Sequence, residues 1–542
     1  MLEQFVTHPL HLAATEANLI KDHAKLLLRS GKRLFGKTVE PLVKPEKGDR
    51  RFSYADWDDN VFFDYLKQAY LLNSRAFMEL VDHSESSGNH THDQFVFYAR
   101  QLVNALAPTN FLFTNPEVLR RTVETGGTNL VDGVKQFWSD LKRNPQQFNV
   151  SMTDFSAFTV GKNVATTPGK VVFQNDMMQL IQYAPTTEQV YRVPLLIIPP
   201  FINKFYILDL KEKNSLIRWL VDQGFTVFVI SWVNPGPSLR HKSFADYMLE
   251  GPVAAIDAIE KATGEKEINA IGYCVGGTLL GSTLAWLAAK GRHPIKSATY
   301  LTSLLDFSDP GEIRIFINEK SIQGIEKRMN RTGYFDGRVM AFSFNILREN
   351  DLFWSFFVNN YLKGEKPTAF DLLYWNSDST NLPATMHSFY LRNMYLKNLL
   401  IKPDGVELAG EKIDLRRNDL PVYFLSTQQD HIAKWKTTYK GAQVHTGDVT
   451  FVLAGSGHIA GVVNPPNQNK YGYWTNDDLP ADADTWFKTS TQHEGSWWTH
   501  WLGWSAPKSG ELITARLPGD GKLEAIEDAP GSYVQRKVSE VV

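Results

Sequence analysis

A β-type run, Glu267 to Gly272, leads into Gly272-Tyr273-Cys274-Val275-Gly276-Gly277 and then directly into an apolar, helix-compatible stretch, Thr278 to Ala289. This is a G-x-nucleophile-x-G turn with cysteine in the place of serine. A strand that turns so tightly into a helix pushes the residue at its apex into strained backbone geometry. Side chains at the flanking positions would collide with the neighbouring strand and helix, hence the glycines. The following helix aims its first N–H groups and the positive end of its dipole at the sulfur, which favours the thiolate. The bland alternative, a lone cysteine packed as a small apolar residue, is outweighed by the turn that surrounds it.

Such an elbow needs a sheet to stand on. From Val171 onward, short β-rich runs (Val193 to Ile198, Phe225 to Ser231, Ile268 to Gly272, Ser297 to Leu301, Val422 to Ser426, Thr450 to Leu453) alternate with helical segments such as Lys213 to Gln223 and Met248 to Thr263. That alternation predicts an α/β fold of the α/β-hydrolase kind, a mostly parallel sheet flanked by helices. The rhythm fails once, where about a hundred residues separate two strands, far more than an ordinary connection. An inserted cap is expected there, at about 307–415, rich in aromatics that include Phe342, Phe353, Trp354, Tyr374 and Trp375. Ahead of the sheet the chain has helical spacing. Asn115-Pro116 opens one helix and Gly126-Gly127 closes it. The expected division is a helical N-terminal domain over 1–155 and a catalytic domain over 156–542.

In this architecture the acid follows a later strand and the base the last one. The run Pro421 to Ser426 leads into Gln428-Gln429-Asp430-His431, and Thr450 to Leu453 leads into Gly455-Ser456-Gly457-His458. Asp430 would hold the His458 imidazole in one tautomer, and His458 would take the thiol proton of Cys274 and later activate an attacking hydroxyl. His431 is a rival base, better read as a supporting or cap-contacting residue because it shares a turn with Asp430. For the oxyanion, the amide of Val275 is one donor. The loop Pro200-Phe201-Ile202-Asn203-Lys204 offers the second, with Ile202 the candidate. Asn203 and Lys204 either serve the site or are ordinary surface residues. Asn203, His431 and Trp375 complete the candidate substrate-binding and supporting set.

Composition trims the function classes. Across 542 residues, 57 Lys and Arg against 59 Asp and Glu leave a net charge of −2, without the basic excess of a general nucleic-acid binder. A single cysteine excludes an internal disulfide or a cysteine-cluster metal site and suits a reducing compartment. The longest apolar runs fall short of the roughly 18 residues that span a bilayer, and the first residues, with an acid at Glu3, lack a basic-then-apolar signal pattern, so a cytoplasmic protein is expected. Aromatics at 12% are generous. Trp497, Trp498, Trp501 and Trp504 form either helix-core packing, the favoured reading, or an apolar contact face.

A cysteine nucleophile suits an acyl group that arrives as a thioester, since moving it onto the enzyme exchanges one thioester for another. The segments PPFINKFYILDL, SWVNPGPSLRH, GYCVGGTLL, FDLLYWNSDSTNLP, QQDHIA, GSGHIAGVVNPP and APGSYV resemble the polyhydroxyalkanoate (PHA) synthases, and the likeness runs from about Asn115 to Val534. The acidic, His-rich run Asp82 to Asp93 and the extreme N-terminus take no part in it. The resemblance implies polymerisation of (R)-3-hydroxyacyl-CoA with release of CoA. Cys274 would carry the acyl chain, His458 act as base and Asp430 orient it, with neither metal nor organic cofactor. It also implies a homodimer at the surface of the polymer granule. The helical region ahead of the catalytic domain is similar to the single-polypeptide (class I) branch. Ala460, two residues past the histidine, looks like the branch that takes short side chains, so 3-hydroxybutyryl-CoA is the expected monomer. The competing readings keep the triad but make water the acceptor, giving a thioesterase or a PHA depolymerase-like hydrolase, or keep only the scaffold, as a granule coat protein without catalysis.

Overall fold

The computed structural model describes residues 9–82, 90–143 and 148–541. The first residues, read above for a signal pattern, and most of the run Asp82 to Asp93 lie outside them. The chain divides into two compact units. One comprises the chain up to Asp154 together with Phe342–Thr368; the other comprises Phe155–Ala341 and the chain from Ala369 onward.

Helices build the first unit. They include Pro9–Leu34, Val61–Asp82, His90–Ala105, Pro116–Glu124 and Thr128–Arg143. Pro116 sits at the first turn of its helix, and the Asn115 side chain accepts hydrogen bonds from the otherwise orphaned amides of Glu117 and Val118. Part of the stretch expected as a cap belongs to this unit. The buried Asp140 carboxylate accepts the Tyr361 hydroxyl at 2.5 Å and the Ser151 amide at 3.0 Å. Asn129 Nδ2 donates to the Leu362 carbonyl at 2.7 Å, and Lys363 pairs with Glu117 at 2.7 Å. Gly133 lets the two backbones meet, because a Cβ there would lie 1.9 Å from the Tyr361 carbonyl oxygen.

The second unit is built on a sheet of eleven strands among the described residues. In chain order these are β1 Gly169–Gln174, β2 Met178–Tyr183, β3 Leu195–Ile198, β4 Val227–Trp232, β5 Ile268–Tyr273, β6 Ile295–Leu301, β7 Val422–Thr427, β8 Val449–Ala454, β9 Tyr473–Thr475, β10 Thr491–His493 and β11 Glu527–Asp528. Their spatial order is β10-β9-β8-β7-β6-β5-β3-β4-β2-β1-β11. The six from β3 to β8 run parallel, and the flanking pairs are antiparallel. Alternate side chains of the central strands feed two separate apolar clusters. Leu196, Ile198, Phe228, Ile230 and Phe424 face one, and Leu195, Ile197, Val227, Val229 and Tyr423 face the other. Burial on both faces explains why these strands read as continuous apolar runs. The helix Val275–Ala289 fills the first cluster, and Trp497, Trp498 and Trp501 of the helix Trp497–Ser505 fill the second. These three tryptophans are thus core, not an exposed contact face.

Gly133→Ala should cost about 1–3 kcal/mol, because the added methyl meets backbone that can only shift. Urea unfolding of the full chain should show a lowered midpoint, and an unchanged midpoint would contradict the close approach.

Candidate active site

The three chemistry-bearing side chains arrive at the carboxyl ends of parallel strands, the usual place for a site in this kind of sheet. Cys274 follows β5 and caps the helix Val275–Ala289. Its backbone, at φ 54° and ψ −124°, lies where a side-chain-bearing residue is strained. Two contacts hold it there. A Cβ on Gly276 would be 2.1 Å from the Ile198 carbonyl oxygen and 2.8 Å from that of Pro199, while the Cys274 amide donates to the Leu301 carbonyl at 2.9 Å. The elbow is therefore pressed against the end of β3 on one side and tied to β6 on the other.

Asp430 follows β7 and His458 follows β8. Asp430 Oδ1 accepts the amides of Ile432 and Ala433, each at 2.8 Å, and Oδ2 lies 2.6 Å from His458 Nδ1. A carboxylate can only accept, so Nδ1 carries the proton and Nε2 is left for the sulfur. Burial opposes a charge on His458, but the Asp430 carboxylate, hydrogen-bonded to the ring, and the negative charge of the Cys274 sulfur lift the imidazole well above its ordinary value. An imidazole that holds its proton this firmly is suited to take one from the thiol. Tyr273 stacks on the imidazole at 5.8 Å and donates its hydroxyl to the His458 carbonyl at 3.3 Å. From below, the indole N–H groups of Trp497 and Trp498 bind the carbonyls of Gly461 and Val462, each at 2.9 Å, bracing the loop that carries the histidine.

The other sequence candidates are placed as follows. Val275 opens the helix, where the first amides lack intrahelical acceptors. Ile202 and Asn203 lie in the loop after β3; the Ile202 carbonyl accepts the Thr380 amide at 3.2 Å, and Asn203 pairs with Ser379. Lys204 is buried rather than on the surface. Trp375 is also buried and donates its indole N–H to the Lys204 carbonyl at 2.7 Å, which makes it a support of that loop. His431 is half-buried, and its carbonyl accepts the Glu312 amide at 3.1 Å.

Two residues that feel the charge of the Cys274 sulfur escaped the sequence reading. Tyr390 and Tyr395 are shifted upward from the ordinary phenol value by burial first, and next by neighbouring charge that includes Cys274. Their rings lie 5.3 Å apart, and Phe307 meets them edge-on at 5.9 and 5.1 Å. They stand five residues apart where the helix Ala384–Tyr390 widens into the π-type turn Leu391–Leu396. A five-residue repeat matches neither the helical nor the strand period, so the pattern gave no sign of them. Among the described residues, no group of three or more His, Cys, Asp or Glu side chains is arranged to hold a metal ion.

Residues 48–220 match the family described as the poly-beta-hydroxybutyrate polymerase (PhaC) N-terminus, and residues 193–465 match the alpha/beta hydrolase fold. The chain is 49% identical over 536 residues to the poly(3-hydroxyalkanoate) polymerase of Methylorubrum extorquens, covering 99% of this chain and 88% of that one. It is 47% identical over 533 residues to the poly(3-hydroxyalkanoate) polymerase subunit PhaC of Rhizobium meliloti, covering 98% and 87%. With poly(3-hydroxyalkanoate) polymerase 1 of Ectopseudomonas oleovorans it shares 37% identity over 543 residues, covering 99% and 93%.

Because the folded His458 holds its proton more tightly than an unfolded imidazole, the pair's contribution to stability is complete below the ordinary histidine range. It is lost as pH rises through the raised value. In Asp430→Asn the imidazole should titrate at lower pH than in the unaltered chain when its ring nitrogens are followed by NMR. An unchanged titration would remove Asp430 as the partner that sets it.

Proposed function

The chain belongs to the poly(3-hydroxyalkanoate) polymerase family, and we propose that it is an acyltransferase that polymerises (R)-3-hydroxyacyl-CoA, with 3-hydroxybutyryl-CoA the preferred monomer. The observation that carries this reading is the His458 imidazole, bound to Asp430 through Nδ1 and raised in basicity by that carboxylate and by the Cys274 sulfur of a strained elbow.

In the proposed cycle, His458 Nε2 takes the thiol proton and the sulfur attacks the thioester carbonyl. The amides of Val275 and Ile202 stabilise the oxyanion, and CoA leaves with the proton from His458. The 3-hydroxyl of a second hydroxyacyl-CoA then gives its proton to His458 and attacks the Cys274 thioester. An ester bond forms, the carbon–sulfur bond breaks, and the thiol is restored. The chain, lengthened by one unit and now on CoA, returns to Cys274 by the first step. A single site suffices, in keeping with one cysteine per chain. The aromatic wall of buried Phe307 and Tyr390 with half-buried Tyr395 supports an acyl pocket from which water is excluded. The CoA thioester is substrate, and no metal or organic cofactor enters the scheme.

A polymer-forming enzyme must stay with an apolar product, and we extend the proposal to a homodimer at the granule surface in the cytoplasm. Support comes from the first unit, where Tyr98, Leu102 and Leu106 are exposed at four-residue intervals, and from Leu27, Leu28, Leu34 and Phe35 on and just after the helix Pro9–Leu34. No described helix is long and apolar enough to cross a membrane.

With 3-hydroxybutyryl-CoA as substrate, CoA release should be matched by polymer; free hydroxy acid without polymer would make the protein a thioesterase or depolymerase-like hydrolase instead. Cys274→Ala and His458→Ala should each lower the rate by at least ~10³, with a smaller loss for Asp430→Asn if it chiefly orients the base. Mass spectrometry after brief exposure to substrate should find the acyl adduct on Cys274, and polymer formation surviving in Cys274→Ala would leave only the coat-protein reading. Leu102→Lys should weaken co-sedimentation with polymer granules while sparing turnover of soluble substrate; undiminished co-sedimentation would exclude that face.

A further inference from the structure

Lys204 ends the loop that follows β3, a place where lysines ordinarily reach into water, yet only 5% of it is exposed. Burying an ammonium is costly unless it is paired and hydrogen-bonded, and here it is both. Nζ donates to the carbonyls of Val534 and Arg536, each at 2.6 Å, and lies 3.5 Å from Asp378 Oδ1. Asp378 Oδ2 in turn accepts Lys537 Nζ and the Tyr206 hydroxyl, each at 2.9 Å. Asn234 Nδ2 adds a hydrogen bond to the Arg536 carbonyl at 3.3 Å. The C-terminal segment from Val534 to Lys537 is thereby fastened to the loop by one buried cation.

The loop is also held on its main-chain side. Trp375 binds the Lys204 carbonyl, Ser379 pairs with Asn203, and the Thr380 amide binds the Ile202 carbonyl. At its root, the carbonyls of Ile198 and Pro199 press on Gly276, two residues past the nucleophile. A segment gripped at both ends, with Ile202 between the grips, is what a preorganised oxyanion donor requires.

We propose that Lys204, acting with the Val534–Lys537 tail, is a positioning residue for acyl transfer: it sets the Pro199–Lys204 loop, and with it the Ile202 amide, against the oxyanion that forms beside Cys274. This rests on the acyl-transfer reading above, and it assigns to the C-terminal tail a part in catalysis from a distance.

The single cysteine gives a clean test. Alkylation of Cys274 by iodoacetamide uses the sulfur and its base but forms no oxyanion, whereas CoA release from 3-hydroxybutyryl-CoA needs one. In full-length Lys204→Met, kcat for CoA release should fall by about tenfold to a thousandfold, while alkylation stays within about twofold. A chain ending at Tyr533 should show the same split, and combining the two changes should add little. Parallel loss of both rates, or unchanged CoA release, overturns the inference. Where Lys204→Met does not accumulate as folded protein, Lys537→Met, which removes an outer partner of Asp378 and of Tyr374 while leaving Lys204 in place, should lower CoA release more modestly with alkylation unaltered. CoA release equal to that of the unaltered chain is then the overturning result. Should Cys274→Ala retain CoA release, the acyl-transfer reading itself fails; should Cys274→Ala abolish release while Lys204→Met spares it, only the positioning role is lost.

Discussion

The carbonyl of Ile198 lies where a side chain on Gly276 would have to be, and this contact between two backbones governs the geometry of the site. It brings the end of β3 against the first turn of the helix Val275–Ala289, and the residue between that helix and β5 is left in strained backbone that only its surroundings can maintain. Once Cys274 is fixed there, the parallel order of β5, β6, β7 and β8 determines which loops can reach it. Asp430 and His458 leave neighbouring strands β7 and β8 at the same end of the sheet, and a 2.6 Å hydrogen bond joins them. The sheet thus converts separation along the chain into proximity at one edge.

Much of this was legible beforehand, for identifiable reasons. The six central strands announce themselves because both faces are buried, and the elbow does so because close packing leaves no alternative to glycine. The chain order of Cys274, Asp430 and His458 follows from the order of the parallel strands that carry them. What could not be read is equally physical. Tyr390 and Tyr395 share a face only because a π-type turn gives them a five-residue repeat. Lys204 reads equally as a site residue or a surface one, and its burial depends on carbonyls 330 and 332 residues away. The aromatic stretch after Ala341 gave a composition signal for an insertion but carried no indication that Phe342–Thr368 would pack with helices near the start of the chain.

Three of the segments that carry the family likeness, PPFINKFYILDL, FDLLYWNSDSTNLP and APGSYV, converge on a single knot around Lys204 and Asp378. None of the three contains Cys274, Asp430 or His458. Each contains or binds the Pro199–Lys204 loop, whose Ile202 amide is the proposed oxyanion donor, while GSGHIAGVVNPP and the tryptophan helix belong to the loop that carries His458 and its brace. Two separate scaffolds therefore support the strand ends around Cys274, one beneath the Pro199–Lys204 loop and one beneath the loop that carries His458.

The allocation of Phe342–Thr368 to the helical unit has a consequence for how the protein is made. Although that unit begins the chain, its final piece leaves the ribosome only after β1 through β6 have been synthesised. Until then the buried Asp140 lacks Tyr361, and Gly133 faces no partner backbone. The helices of the first unit must therefore wait, incomplete, until Phe342–Thr368 has been made.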